Sequence, residues 1–209
     1  MQIIYIIILS LLFMSCNVKD PHYQDGKLKI YFQDQWEQGL YNYPEFATYL
    51  GDNRYNDRLT DMSVEAVLKR QIQTRESYEE IVKIDRSKLS FEYKLYYDLY
   101  ADKLHRAMAR QQFKEYLMPI NQMGGIQIDA PNLVDVSPFH THDDYKNYLQ
   151  RLTTLSVKID QVIILMKMGI KEHIIPPQIV LASVPEQIKK QSSYLIDESP
   201  FYKPFNNFP

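Results

Sequence analysis

The stretch "THDDYKNYLQRLTTLSVKIDQVIILMKMGI" (Thr141–Ile170) decides the fold class. Tyr145, Leu149, Leu152, Ser156, Ile159, Ile163, Met166 and Ile170 recur at alternating steps of four and three. That is the spacing of one helix face, and of a heptad-like seam between antiparallel helices. Thr141 and Asp144 stand at its front in capping-box order, each side chain able to satisfy the other's backbone N–H. Gly169 marks the expected stop.

The same period recurs on both sides of this stretch. A helix is expected over Leu28–Tyr41, with Leu28, Tyr31, Phe32, Trp36 and Leu40 as its stripe. Ser63 is placed to cap a second over Val64–Val82, striped by Val64, Val67, Leu68, Ile72, Tyr78 and Val82 and interrupted by Arg75. Ser90 is placed to cap a third, whose Tyr93, Tyr96, Tyr97, Tyr100, Leu104, Ala107 and Met108 share one face. Ordinary packing explains these tyrosines, which bury a ring while keeping the hydroxyl wet or bonded. Ser183 and Glu186 fit a second capping box, with Pro185 in the first turn and the helix running to about Leu195. Pro44 is suited to open a short turn that Gly51 closes, and "GDNRYND" after it reads as a loop.

Between them, Tyr116–His142 is loop-rich and long enough to be functional or packed on another part of the protein. Within it, "GGIQIDAPNLVD" fits either a short strand or an extra helical turn. The fold class is therefore all-α, a multi-helix antiparallel array with one long loop-rich connection. The chain ends in "ESPFYKPFNNFP". Its three phenylalanines must fold back over the helices or meet a partner, unless the chain was cut short there, because apolar burial contributes roughly 25 cal/mol per Å².

Composition narrows the function. The chain has 209 residues, 45% hydrophobic and 24% charged, with six Gly and 17 Tyr. That is ample for a core without covalent staples. Net charge is −2 with no basic block, so no nucleic-acid partner is indicated. A single cysteine, Cys16, excludes an intramolecular disulfide and a paired-thiolate zinc site.

Cys16 ends a leader. "IIYIIILSLLFM" (Ile3–Met14) is too short to span a bilayer but has the length of a signal-peptide apolar region. Small Ser15 precedes Cys16, and polar sequence follows. This resembles a bacterial lipoprotein signal: cleavage between Ser15 and Cys16, then acylation of the Cys16 thiol. Each buried acyl CH₂ contributes roughly 0.8 kcal/mol of membrane affinity. The leader has no Lys or Arg, and Phe13 and Met14 are bulkier than the pattern usually carries. The organisation expected is a signal peptide over 1–15, a tether over 16–26 and a helical domain over 27–209. The location expected is the cell envelope, on its periplasmic or outer-membrane face, with the membrane as partner.

No catalytic constellation appears. None of His22, His105, His140, His142 and His173 forms H-E-x-x-H, the spacing that sets two imidazoles on one helix face. His140 and His142 stand two apart beside Asp143 and Asp144 at a helix entry. No G-x-S-x-G, P-loop or G-x-G-x-x-G occurs. Asp52, Asp57 and Asp61 alternate with Arg54 and Arg58, which predicts local charge pairing of small energetic worth.

Five segments carry a family resemblance: "PEFATYLGDNRYNDRLTDMS" (Pro44–Ser63), "YLMPINQMGG" (Tyr116–Gly125), "DYKNYLQRL" (Asp144–Leu152), "MGIKEHIIPPQIV" (Met168–Val180) and "SPFYKPF" (Ser199–Phe205). Together they resemble a bacterial family known as domain of unknown function 885. The resemblance implies a mostly helical, often exported and lipid-anchored protein, grouped with zinc metallopeptidases of the gluzincin type. Relatives are considerably longer and carry H-E-x-x-H in their later part. It therefore implies that this chain is the incomplete N-terminal portion of a larger helical protein, with the tail's partner surface beyond it. No position here matches the zinc motif, so no catalytic or metal residue carries over. Zinc and a peptide substrate are implied for full-length relatives alone. The rival reading is a stand-alone cell-surface helical lipoprotein with a binding or structural role.

Overall fold

A computed structural model describes residues 23–208. The described residues form an all-α array without β-strands: α1 (Tyr23–Asn42), α2 (Pro44–Tyr49), α3 (Val64–Ile81), α4 (Phe91–Arg110), α5 (Ile126–Val136), α6 (His142–Glu172), α7 (Gln178–Leu181) and α8 (Val184–Ser192). Single 3₁₀ turns link several of them. Cys16 and Ser15 lie outside the described residues.

The expected helix starts hold where a polar side chain caps them. Ser63 Oγ accepts from the Ala66 N–H, and Ser90 Oγ from the Tyr93 N–H. Thr141 and Asp144 form the reciprocal box. Two starts need correction. α1 begins at Tyr23, inside the stretch read as a tether, because Asp25 in its first turn accepts the backbone N–H of Ser90 at 2.9 Å. Ser183 makes no capping bond, and α8 stops at Ser192, short of Leu195.

α1, α3 and α4 enclose the first core, built on Leu28, Tyr31, Ile81, Ile84, Leu89 and Leu104. Tyr31 also donates its hydroxyl to the Ser77 carbonyl at 2.8 Å, and the Ser77 hydroxyl donates to Gln35 at 2.5 Å. Polar side chains thus carry much of the α1–α3 contact. This corrects the expected stripes: α3 buries Val67, Ser77 and Ile81, while Leu68, Ile72 and Val82 are exposed. Trp36 and Tyr96 are exposed as well.

A second core joins Val67 and Leu117 to Leu165, and a third joins Ile120 and Val184 to Val162. Both use the same face of α6, whose buried residues are Tyr145, Tyr148, Arg151, Val162, Leu165 and Gly169. The heptad seam expected at Leu149, Ile159, Ile163 and Ile170 is exposed, so the buried stripe lies on a neighbouring face.

The long connection is not structureless. Ile126–Val136 is a helix of 11 residues despite Pro131 within it. Gly125, at φ +120°, turns the chain into it, and Ala130 and Leu133 are buried. The proline forfeits one backbone bond, so packing holds this helix.

Gly169 does not stop α6. The helix runs on to Glu172 and ends at His173, which adopts the left-handed conformation at φ 59°. Gly169 is needed for close approach: a β-carbon there would meet the Ile174 carbonyl oxygen at 2.6 Å and that of Leu117 at 2.8 Å. Gly39, inside α1, has open space where its β-carbon would stand. Gly39→Ala is expected to raise stability by about 0.5–1 kcal/mol, read as a higher urea midpoint at unchanged m-value.

The tail folds back on its own chain. The hydroxyls of Tyr145 and Tyr148 donate to the carbonyls of Pro204 (3.3 Å) and Phe201 (3.2 Å). Phe205 and Phe208 lie edge-on or tilted against the Tyr145 ring. Of the alternatives the sequence leaves open for the tail, the described residues show the fold-back, with Phe208 still exposed.

Candidate functional site

Pro44 fixes the first turn of α2, which aims its carbonyl inward. Thr48 follows one helical turn later, with its hydroxyl 3.1 Å from that carbonyl and donating to Asn56 Oδ1 at 2.6 Å. The chain then reverses at Gly51, at φ +82°, and passes through Asn53–Tyr55 to Arg58. Carbonyls of Pro44, Tyr55 and Arg58 converge on one point, and that point is Arg151 of α6.

Arg151 is 1% exposed. Its Nε donates to the Arg58 carbonyl at 2.8 Å. Its Nη2 reaches the Thr48 hydroxyl at 2.6 Å and the carbonyls of Tyr55 and Pro44 at 3.1 and 3.3 Å. None of these partners is charged. Burial pulls the guanidinium down to about 10, against the opposing pull of the Glu45 and Asp57 carboxylates, and it stays protonated at neutral pH. Nη1 is buried and meets no acceptor among the described residues.

Beside it lies an ion pair. Lys158 Nζ stands 2.5 Å from Glu45 Oε1, and the Thr60 N–H and hydroxyl donate to the same carboxylate at 2.9 and 2.5 Å. Burial pushes the Glu45 carboxyl up, but Lys158 and Thr60 more than reverse this, leaving it below the ordinary value. A carboxyl depressed by folding contributes stability that is present above its unfolded pKa, about 4.3. That contribution is lost as pH falls through the lower folded value. Glu45→Gln is therefore expected to lower the melting temperature at neutral pH and to flatten its fall between about pH 5 and 3. Parallel acid limbs for the two proteins would show that the pair contributes nothing.

These groups line a partly open cavity of ≈ 260 Å³ between α2, α5 and α6, walled by Leu59, Ile126, Leu133, Leu155 and Phe201 among others. A larger, more open groove of ≈ 710 Å³ runs between α1 and α4, lined by Phe32, Trp36, Tyr43, Phe46, Tyr96 and Leu99. Lys103 stands at its side over the Tyr100 ring, 5.0 Å from the centroid.

Features singled out in the sequence are used locally. Asp52 pairs with Arg54 at 2.6 Å, as the alternating charges suggest, whereas Arg58 lies over the rings of Tyr41 and Tyr55. Asp144 Oδ2 accepts the backbone N–H groups of His140 and Thr141, and the His142 ring packs against Phe208. Among the described residues, no group of three His, Cys, Asp or Glu side chains comes together as a metal site. No helix among them is long and apolar enough to cross a membrane. Arg151, Glu45 and Lys158 were not marked by sequence reasoning. The available signal was an arginine three residues after Tyr148, in a series that otherwise buries aromatic rings.

The family model described as "Bacterial protein of unknown function (DUF885)" matches residues 44–209. The chain belongs to this family. The DUF885 match opens at Pro44, the first residue whose carbonyl Arg151 binds. The segment carrying the family resemblance, Pro44–Ser63, thus supplies all four oxygens on Arg151. No curated protein matches the chain.

Proposed function

We propose that this DUF885 chain forms a helical wall of an exported, lipid-anchored protein of the zinc-metallopeptidase-like kind. On this reading a leader is removed between Ser15 and Cys16, the acylated Cys16 holds the protein at the bacterial cell envelope, and the helices flank a peptide-binding cleft. The observation that carries it is the groove between α1 and α4. Its exposed Trp36, Tyr43, Phe46 and Leu99 offer an apolar trough suited to an extended apolar segment. Zinc enters as an expectation for full-length relatives. The described residues bring no ligand set together, so no step is routed through it.

The chain by itself is expected to be inactive as a peptidase. Chelator-sensitive cleavage of a peptide library by purified residues 17–209 would overturn this. The anchor has its own test. Cells fed labelled palmitate are expected to label the protein but not its Cys16→Ser variant, and equal labelling of both, or of neither, would refute lipidation at Cys16.

The second reading, a stand-alone surface lipoprotein without peptidase chemistry, is favoured by the folded-back tail, whose Phe201, Phe205 and Phe208 find neighbours within this chain. Cooperative melting as a monomer supports it, whereas strong binding of hydrophobic dye at low temperature supports the wall of a larger protein.

A further inference from the structure

We infer that the groove between α1 and α4 takes the C-terminal end of a peptide, its free carboxylate against Lys103 and its bulky apolar side chains in the aromatic trough. This rests on the groove being a peptide site, as proposed above, and says which peptides it selects. Charge decides it. Among the described residues, Lys103 is the one charged side chain lining the groove, and it stands over the Tyr100 ring without an ion pair. The carboxylates of α4 are engaged elsewhere. Glu92 accepts from the Tyr96 hydroxyl, Asp98 pairs with Arg86 at 2.6 Å, and Asp102 pairs with Arg106 at 2.8 Å. Glu37 of α1 pairs with Arg54 at 2.8 Å. The Lys103 ammonium is thus left for an anion that the occupant brings.

The rest of the groove decides what carries that anion. Trp36 and Phe46 meet edge to face with centroids 6.5 Å apart, and Tyr96 and Leu99 line the α4 side. Trp36 and Leu99 are more than half exposed, so apolar side chains laid on them remove apolar surface from water on both partners. One polar group interrupts the trough. Gln35 Oε1 accepts the Ser77 hydroxyl, and its amide N–H groups are unengaged among the described residues. Such a donor matches a peptide carbonyl and finds nothing on a plain hydrocarbon chain. A peptide therefore fits better than a fatty acid. The groove's ≈ 710 Å³ falls within the range of ligand sites. From Tyr96 to Lys103, α4 offers about 10 Å of length, room for roughly three residues of extended chain.

The test follows the fluorescence of Trp36, the only tryptophan in the chain. The full chain in phosphatidylcholine vesicles is titrated with acetyl-Ala-Leu-Phe as the free acid, with the same peptide as its C-terminal amide, and with phenylbutyrate, an apolar carboxylate without a peptide bond. The acid is expected to shift the emission saturably. The amide should bind about fivefold more weakly, the upper range for an ion pair open to water. Lys103→Gln, at an exposed position, should bring the acid down to the amide and leave the amide unchanged, while Lys103→Arg keeps the preference. Equal binding of acid and amide, or a preference that survives Lys103→Gln, would overturn the inference and leave the groove a peptide site of other specificity. Phenylbutyrate binding as tightly as the acid would overturn the assignment to a peptide. No saturable response to any of the three would overturn the inference together with the peptide reading of the groove.

Discussion

Arg151→Met is expected to destabilise the protein by about 3–5 kcal/mol, because it strands several buried hydrogen-bond acceptors at once. Methionine fills much of the volume and donates nothing. The carbonyls of Pro44, Tyr55 and Arg58 and the Thr48 hydroxyl would then lose the donor on which they converge. Unsatisfied buried acceptors cost about 1–3 kcal/mol each, and partial solvation of the loosened loop keeps the sum within the stated range. For a domain of this size each kcal/mol lowers the melting temperature by roughly 2–4 °C, so a fall near 10 °C is expected by calorimetry. Arg151→Lys should recover only part of it, because one ammonium cannot reproduce the guanidinium's fork. A loss below about 1 kcal/mol in Arg151→Met would mean that the loop holds its shape without Arg151.

Gly169→Ala is expected to cost about 2–3 kcal/mol, in the upper part of the range for overpacking. Helix propensity works the other way, since alanine in a helix interior is favoured over glycine by up to about 1 kcal/mol. Sterics win because the obstacles are backbone: the carbonyl oxygens of Ile174 and Leu117 lie 2.6 and 2.8 Å from the added carbon. Those carbonyls belong to the turn after α6 and to the segment before α5, and both press on the second core through Leu117 and Ile174. The contrast with Gly39→Ala, the same chemical change in open space, separates propensity from packing. If the two substitutions shift the urea midpoint in the same direction, the close approach at Gly169 is not real.

Helices were legible in this sequence, and their buried faces much less so. Ser63, Ser90 and Thr141 announce helix starts through local hydrogen bonds that need no tertiary context. Buried faces depend on partners. α3 turns Ser77 inward because Tyr31 and Gln35 meet it, and leaves Leu68 and Ile72 outside. Hydrophobic periodicity scores that exchange backwards. On α6 the same blindness shifted the stripe away from Tyr148 and Arg151. Pro131 hid α5, since a proline inside a helix is tolerated where packing compensates for the lost bond. The Arg151 site left almost no trace because three of its four partner oxygens belong to the backbone, and any residue supplies a carbonyl. Cys16 and Ser15 keep the role read from the leader as a proposal, tested by labelling and not by the fold.

Arg151 fastens the family segment Pro44–Ser63 to the long helix. Native-state hydrogen exchange on the Asp52, Asn56, Arg58 and Thr60 amides tests it most directly. These donate to the Ala47, Asn53 and Tyr55 carbonyls and to the Glu45 carboxylate respectively. In the unmodified chain they should exchange orders of magnitude more slowly than an open loop, with protection approaching that of α3. In Arg151→Met they should lose that protection selectively while α3 and α4 keep theirs. Rapid exchange of these amides in the unmodified chain, or an Arg151→Met profile that leaves them protected, would contradict the account.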